Sequence, residues 1–295
     1  MSRLIFSGHE SFFCKQFWLK KGFDFIDKGK KFTDNSAVIE LGVGKNMVRA
    51  IRFWLYAFGV SDERSSSSPS ELGEFLFGKN GRDPFLEDIG SAWLLHYHLV
   101  TRGNASIYNI FFNEFRNTRN EFHVEQLHNF LKQRCLENQS TTYNENTINR
   151  DIKVFIANYS MPERKRSQIE DVYSGLLQEL NLFDHKRKED VITGKVLDYY
   201  SVLSNEKEGL PYQILLYAIL DNDQFGKAIT FKDLQFSKNS PGRVFAITAE
   251  GLFKKIEAIE NRYKEITFSE TAGNRQLQVS SALNKWDILD DYYQK

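Results

Sequence analysis

Apolar residues recur at helical spacing in the segment 44–58. When residues are placed at 100° intervals, one stripe collects Val48, Ile51, Leu55 and Phe58. Such a stripe is typical of a helix that packs one face on a core. The preceding segment 37–41 predicts the end of a shorter helix, which Gly42 and Val43 interrupt. A short helix, a tight glycine turn and a longer helix form the helix-turn-helix pattern.

A second stripe on the longer predicted helix is basic. It contains Lys45, Arg49, Arg52 and Tyr56, and it lies beside the apolar stripe. A helix that packs on one side and carries cations on the other is suited to bind nucleic-acid phosphates. We therefore predict that DNA is contacted by Lys45, Asn46, Arg49 and Arg52. The alternative is a basic face that meets only solvent.

The chain after this helix fits a wing. The polar segment 65–70 contains five serines and a proline, and short apolar segments follow at 71–78. A wing is one interpretation, and a plain surface loop is the other. With the wing, residues 1–80 are predicted to form a winged-helix-like DNA-binding domain.

The next region, 81–145, is predicted to be helical. Asp83 suits a helix N-cap and Pro84 the first helical position, so a helix is expected from there to about Val100. The segment 107–135 is rich in Phe and Leu and is expected to be mostly helical. The polar segment 137–146 predicts a linker or an exposed loop.

The remaining residues, 146–295, are predicted to form a mostly helical C-terminal domain. Helices are expected at 151–159, 169–182, 211–220, near residue 232 and at 249–263, with Thr248 capping the last of these. The segment 243–248 is expected to be a strand. One arrangement of these elements is a second winged-helix-like unit over 205–265. The predicted fold is thus mostly α with small β wings.

Composition narrows the class of protein. The 295 residues carry 39 basic and 39 acidic side chains, a balance that argues against a histone-like binder but allows a local basic surface. The two cysteines are too few for a disulfide framework, which fits a reducing compartment. The first residues contain no apolar signal core, and no apolar run is long enough to span a bilayer. A cytoplasmic protein without a membrane partner is expected.

Two groups of residues are candidates for chemistry. His9 and Glu10 are adjacent and can supply an acid/base pair, although the same residues can simply stabilise a turn. Asp83, Glu87 and Asp88 form an acidic group that can hold Mg²⁺. Carboxylates are also what a helix N-terminus favours. No zinc-protease, paired Cys-x-x-Cys, phosphate-loop or nucleophile-elbow motif is present.

Several short motifs together resemble one bacterial family. They are Phe6-Ser-Gly-His-Glu, Trp18-Leu-Lys-Lys-Gly, Leu41-Gly-Val-Gly-Lys-Asn-Met-Val, Asp83-Pro-Phe-Leu-Glu-Asp and Trp93-Leu-Leu-His, with further similarity at 151–159, 240–245 and 272–277. The family is the SspB-like proteins of bacterial DNA phosphorothioation systems, long a domain family of unknown function. The resemblance implies an antiphage defence component that nicks DNA and works beside a cysteine desulfurase, an ATPase and a sulfur-transfer enzyme.

Two functions of different classes therefore remain open. The first is a Mg²⁺-dependent DNA nickase, with His9, Glu10, Glu87 and Asp88 as catalytic candidates and with Asp83 and Glu87 as metal ligands. The second is a non-catalytic DNA-binding adaptor or transcriptional regulator.

Overall fold

The periodic apolar segments of the sequence become helices. The structure, a computed structural model, describes residues 3–62, 68–160, 175–190, 194–271, 273–280 and 282–294. Within these residues α-helices dominate, and the strands form two small three-stranded antiparallel sheets. The prediction of a mostly α fold with small β elements is confirmed at this level. The chain divides into a first unit, Met1–Val202, and a second unit, Leu203–Lys295.

The first unit begins with helices and ends with a β-hairpin. Its described helices are α1 (Trp18–Asp27), α2 (Ala37–Leu41), α3 (Lys45–Ala57), α4 (Glu71–Phe77), α5 (Ile89–Thr101), α6 (Ser106–Asn113), α7 (Val124–Glu137) and α8 (Glu145–Tyr159). Its strands are β1 (Glu121–His123), β2 (Phe183–Glu189) and β3 (Val196–Val202). The sheet order is β1-β3-β2, and Tyr200 on the central strand lies opposite both Phe122 and His185.

Aromatic rings fill the core of the first unit. Phe111 on α6 lies 4.7 Å from Phe155 on α8, between ring centroids, and Tyr159 stacks on Phe183 of β2 at 5.1 Å. Helix α5 is buried from Gly90 to Val100, as its continuous apolar run predicts. The first pair is tilted and the second is stacked, and ring pairs at these distances help to hold the sheet against the helices.

Helix α1 approaches α3 closely, and a glycine makes this approach possible. A Cβ atom at Gly22 would lie 2.7 Å from Leu55 Cδ1 and 2.8 Å from Ile51 Cγ2. Both neighbours are on the buried face of α3. Because a methyl group does not fit there, Gly22 sets the spacing that holds α3 in place.

Two expectations for the region 65–100 are wrong. The segment 71–78, expected in a wing, contains helix α4, because Ser70 Oγ accepts a hydrogen bond from Gly73 N–H and caps the helix. Extended pairing within the described residues 3–62 and 68–80 is limited to isolated bridges, such as Ser61 with Pro69. Helix α5 starts at Ile89 rather than at Pro84, since Leu86 adopts a positive φ of 55°. The serine tract at 65–67 lies outside the described residues.

The second unit also combines helices with a small sheet. Its described helices are α9 (Tyr212–Leu220), α10 (Phe231–Phe236), α11 (Pro241–Val244), α12 (Ala249–Arg262) and α13 (Lys285–Tyr293). Its strands are β4 (Ala228–Thr230), β5 (Ile266–Thr271) and β6 (Asn274–Val279), in the order β4-β6-β5. The predicted cap of α12 is confirmed, because Thr248 Oγ1 accepts a hydrogen bond from Gly251 N–H.

The expected strand at 243–248 is wrong. Ser240 caps a short helix with Pro241 in its first turn, and this helix runs into the segment. Ala246 then adopts a φ of 51°, which an extended strand does not allow. The expected helix 169–182 is also wrong in its described part, where 175–182 contains only a 3-10 turn, Gln178–Leu180. Residues 169–174 lie outside the described residues.

The linker or loop predicted at 137–146 is a loop at 138–144, between α7 and α8 and within the first unit. The expected domain boundaries after residues 80 and 145 also fall inside that unit, so the division into smaller domains stays a prediction.

Among the described residues, every helix is too short or too polar to cross a membrane.

The two sheets have the same topology. In the first unit, α6, β1, α7 and α8 precede the hairpin of β2 and β3. In the second, α9, β4, α10 and α12 precede the hairpin of β5 and β6, with the short α11 as an addition. In both, the last strand lies between the other two. This repeat of a helix, a strand, two helices and a hairpin is absent from the spacing of the sequence.

Candidate nucleic-acid interface

The predicted pair of helices and their turn is confirmed. Helix α2 ends at Leu41 because Gly42 takes the left-handed conformation, with φ 61° and ψ 34°. The Gly42 N–H donates to the carbonyls of Val38 and Ile39 in α2. Gly44 is extended and precedes the first residue of α3. A turn of three residues therefore separates α2 from α3, which matches the sequence pattern of a helix-turn-helix.

The two faces of α3 are those predicted from the sequence. Val48, Ile51 and Leu55 are buried. On the other side Lys45, Asn46 and Arg49 are exposed and Arg52 is half-buried. Within the described part of the chain, Lys45 and Arg52 make no ion pair. The exposed stripe at the start of α3 can therefore donate hydrogen bonds to an anion such as phosphate.

Lysines also surround a concavity beside this helix pair. The concavity measures about 510 Å³, and its lining includes Lys20, Lys21 and Lys28. Lys21 Nζ donates to the last carbonyl of α2, at Leu41. The Lys30 ammonium bonds to Glu40 and holds the pKa of that carboxyl below its usual value. Sequence reasoning missed this basic surface, although the lysine-rich segments 20–21 and 28–31 are visible in the sequence.

His9 lies inside the protein. Its Nε2 is 3.0 Å from Asp151 Oδ1, both side chains are buried, and its ring stacks on Trp54 at 6.0 Å. Ser11 N–H donates to His9 Nδ1, which leaves Nε2 as the donor to Asp151. The histidine thus connects the N-terminal loop to α3 and α8.

The loop around His9 has an uncommon backbone. Ser7, Gly8, Glu10 and Ser11 all have positive φ values. Both carboxylate oxygens of Asp151 accept a hydrogen bond from Ser7 N–H, which holds the loop in this form. Non-glycine residues in this region are costly, so the surrounding contacts must maintain them.

The loop brings Glu10 to the basic stripe. Glu10 Oε1 lies 3.7 Å from Nη1 of Arg49, and both side chains are partly exposed. The sequence assigns these two residues to separate roles, one catalytic and one in DNA binding. The structure makes them neighbours.

Asp83 has a structural position. Its Oδ1 accepts from Glu87 N–H at 2.9 Å, and its Oδ2 accepts from Asp88 N–H at 3.0 Å and from Ser91 Oγ at 2.6 Å. The expected N-cap role is wrong, because Asp88 caps α5 through a bond from Gly90 N–H. Asp83 is buried and its oxygens are already occupied, so it does not fit as a magnesium ligand.

The remaining acidic candidates are at the surface. Glu87 and Asp88 are exposed. Among the residues that the structure describes, no group of three or more His, Cys, Asp and Glu side chains could hold a metal ion. The candidate residues therefore do not converge on a magnesium site in the described part of the chain.

Both cysteines are free and buried. Burial raises the pKa of the Cys14 thiol well above its usual value, so this side chain is held as a thiol. Cys14 N–H donates to Asn158 Oδ1 on α8, and its position is that of a core residue.

Both the sequence and the fold of this chain are similar to those of known proteins. The chain belongs to the family described as "Protein of unknown function (DUF4007)", whose sequence profile matches residues 6–293. Two solved structures are similar to it: "Magnesium ion-bound SspB crystal structure" and "SspB crystal structure". For each, the identity is 27%, the TM-score is 0.83, and the match covers 98% of this chain and 88% of the other. The resemblance to the SspB-like family is thus confirmed. No curated protein matches the chain in sequence.

Proposed function

We propose that this protein is the DNA-binding component of a bacterial DNA phosphorothioation defence system. Its likeness to SspB supports a place in such a system. The observation that carries DNA binding is the exposed Lys45, Asn46 and Arg49 at the start of α3, immediately after a glycine turn. Residues at the N-terminus of the second helix are those that reach bases and phosphates in helix-turn-helix proteins.

The second unit carries a proposal about fold, which does not require that this unit binds DNA. A helix, a strand, two helices and a hairpin, with the last strand in the middle of the sheet, is the arrangement of a winged helix. We propose that residues 205–265, with the hairpin up to Val279, form such a unit. At 1–80 we propose a helix-turn-helix, and the wing of the predicted domain 1–80 stays a prediction.

Direct binding to duplex DNA tests this function. We expect the full chain to bind a fluorescently labelled duplex of mixed sequence, measured by anisotropy, with an affinity that falls steeply as salt is raised. Each phosphate contact contributes about 0.9 to the slope of log affinity against log salt. No measurable binding at low salt, to unmodified or phosphorothioated duplex, would contradict the proposal.

Magnesium-dependent nicking is a second candidate function. It is favoured by one observation, the magnesium ion in the structure of a relative. Mg²⁺ supplies charge stabilisation to a phosphodiester cleavage when it is bound. We propose Glu10, Glu87 and Asp88 as the accessible carboxylates to test, and His9, the neighbour of Glu10 in the sequence, as the buried candidate.

Supercoiled plasmid distinguishes the nickase from the adaptor or transcriptional regulator. If the chain is a nickase, plasmid incubated with protein and Mg²⁺ becomes the open circle, and EDTA prevents this. Changing Glu10, Glu87 and Asp88 singly to alanine is expected to abolish nicking in at least one variant that still binds DNA. Plasmid that remains supercoiled with the unchanged protein would favour the non-catalytic function.

A phosphorothioation system requires partner proteins. We propose that this chain associates with an ATPase, a sulfur-transfer enzyme and a cysteine desulfurase of the same system. Its zero formal net charge leaves surfaces without a strong field of one sign, which suits docking to several partners.

A further inference from the structure

The topology of the second unit has a counterpart at the end of the first. Among the described residues from α6 to β3, which leave out 161–174 and 191–193, the first unit repeats the helix, strand, two helices and hairpin, with β3 between β1 and β2. In this arrangement α7 and α8 take the places of the two helices of a helix-turn-helix. The second of them, α8, occupies the position of a recognition helix.

Helix α8 has one buried face and one polar face. Ile148, Ile152 and Phe155 are buried against the aromatic core. The polar face lies within an arc of about 100° on the other side, and it consists of Asn146, Asn149, Arg150 and Lys153. Asn146, Arg150 and Lys153 are exposed and Asn149 is half-buried.

These residue types are the ones that read duplex DNA. Asparagine pairs with the edge of adenine, arginine binds guanine or phosphate, and lysine binds phosphate. In the described part of the chain, Arg150 and Lys153 make no ion pair, so their donors face solvent. The only carboxylate within this stretch, Asp151, points inward and bonds to His9.

The hairpin of β2 and β3 borders the same surface. A concavity of about 590 Å³ is lined by Glu145 and Asn149 of α8, by Leu197 and Asp198 of β3, and by residues of α7 that include Glu125 and Lys132. Arg150 and Lys153 lie outside this lining, so the phosphate contacts are assigned to the exposed face of α8 next to the concavity. Helix and hairpin therefore face one groove, as the helix and wing of a winged helix do.

The outer strand of this hairpin is basic. Lys186, Arg187 and Lys188 are exposed on β2. They pair with Asp184, Asp198 and Glu121, respectively. Exposed pairs of this kind contribute little, and a phosphate can replace the carboxylate partner.

The corresponding helix of the second unit has a different chemistry. The exposed face of α12 carries Glu250, Lys254 and Glu257. Lys254 is paired with both Glu206 and Glu250. Two helices in the same topological position thus differ in their ion pairs. Lys254 and Arg262 of α12 are paired with carboxylates, whereas Arg150 and Lys153 of α8 make no ion pair among the described residues.

We infer that α8 is a second DNA-binding element, which enters a groove of duplex DNA while the hairpin of β2 and β3 contacts the flanking phosphates. This inference rests on the proposed function, since it assumes that the protein binds DNA. It adds a site that is distinct from α3 and assigns the first unit two DNA-binding elements.

The test compares matched alanine variants of the two helices. The full chain carrying Asn149→Ala, Arg150→Ala and Lys153→Ala is titrated against labelled duplex DNA over a range of salt concentrations. We expect its affinity to fall by about 10-fold or more, because the side chains that bind bases and phosphates are removed, and its salt slope to fall by about two. The control carries Lys254→Ala, Asn261→Ala and Arg262→Ala on α12, which likewise removes two exposed cations and one asparagine, and it should bind like the unchanged protein.

The single exchange Arg150→Gln is the second variant. It removes the charge and keeps a polar side chain at an exposed position, so folding is retained, and it should reduce the salt slope by about one. Unchanged affinity and slope in both α8 variants would overturn the inference. An equal loss of affinity in the α12 control would also overturn it.

The two possible failures can be distinguished. If the α8 variants bind normally while changes in α3 remove binding, only the inference about α8 fails. If the unchanged protein does not bind duplex DNA, both the proposed function and this inference fail.

Discussion

Replacement of Lys45, Arg49 and Arg52 by alanine is expected to lower the affinity for duplex DNA by about 100-fold, because each side chain is expected to supply about 1 kcal/mol of binding free energy. The three side chains lie on one stripe of α3, and none is needed for the core. Each phosphate that the protein neutralises releases counterions, so the slope of log affinity against log salt should fall by about three. Anisotropy titrations at several salt concentrations measure both quantities.

A control variant with the same loss of net charge shows whether the affinity depends on where the charges lie or only on how many there are. Lys232, Lys238 and Lys264 are exposed lysines of the second unit, and their change to alanine removes the same net charge. The control should keep most of its affinity. Equal losses in the two triple variants would mean that α3 is not a specific binding element and that only the overall charge matters.

The position of α3 was predictable because its pattern is long and regular. The helix has thirteen residues, and at helical spacing they form one apolar stripe and one basic stripe. Gly42 and Gly44 mark the turn before it. Helix α9 was predictable for a related reason, since it is an apolar run directly after Pro211. In both cases the local signal and the burial in the fold agree.

Short apolar segments gave the wrong type of element. The segment 71–78 is compatible with a strand or a helix, and the cap from Ser70 decides for a helix. The segment 243–248 has the β-branched and aromatic residues of a strand, but Ser240 and Pro241 start a helix before it. A few residues carry too little periodicity to distinguish the two.

The hairpin of β2 and β3 was missed for the opposite reason. Strand β2 reads Phe-Asp-His-Lys-Arg-Lys-Glu and lacks an apolar alternation, because most of its side chains are exposed. Its pairing with β3 is set by the neighbouring strand and by Phe183 in the core. Because strands of this kind have no regular apolar pattern, the topology that the two units share cannot be recognised as a repeat in the sequence.

The buried partner of His9 was also beyond reach from the sequence. Asp151 is 142 positions away, and nothing local marks it as the residue that meets the N-terminal loop. The sequence left two interpretations of His9 and Glu10, a catalytic pair or a stabilised turn. The contacts of His9 favour the stabilised turn, because the ring bonds to Asp151 and to Ser11 N–H. The contribution of these bonds to stability can be measured.

His9→Ala is expected to destabilise the first unit by about 3 kcal/mol, since removal of one member of a buried ionic or hydrogen-bonded pair leaves the other without its partner. The change also removes the ring that stacks on Trp54 and the acceptor of Ser11 N–H. Asp151→Ala should cost a similar amount, because it also releases Ser7 N–H. Thermal unfolding followed by circular dichroism should show a midpoint lower by about 6–12 °C.

The double variant and a second histidine make this prediction specific. If the two residues act as one unit, His9→Ala combined with Asp151→Ala should cost clearly less than the sum of the single changes. His128→Ala is the control, since His128 is half-buried and contacts Tyr143 through one hydrogen bond, so its midpoint should change little. A His9→Ala protein that unfolds at the unchanged temperature would show that the pair does not hold the loop. His9 would then be available for the catalytic role, and the nicking assay on this same variant would decide that role without interference from unfolding.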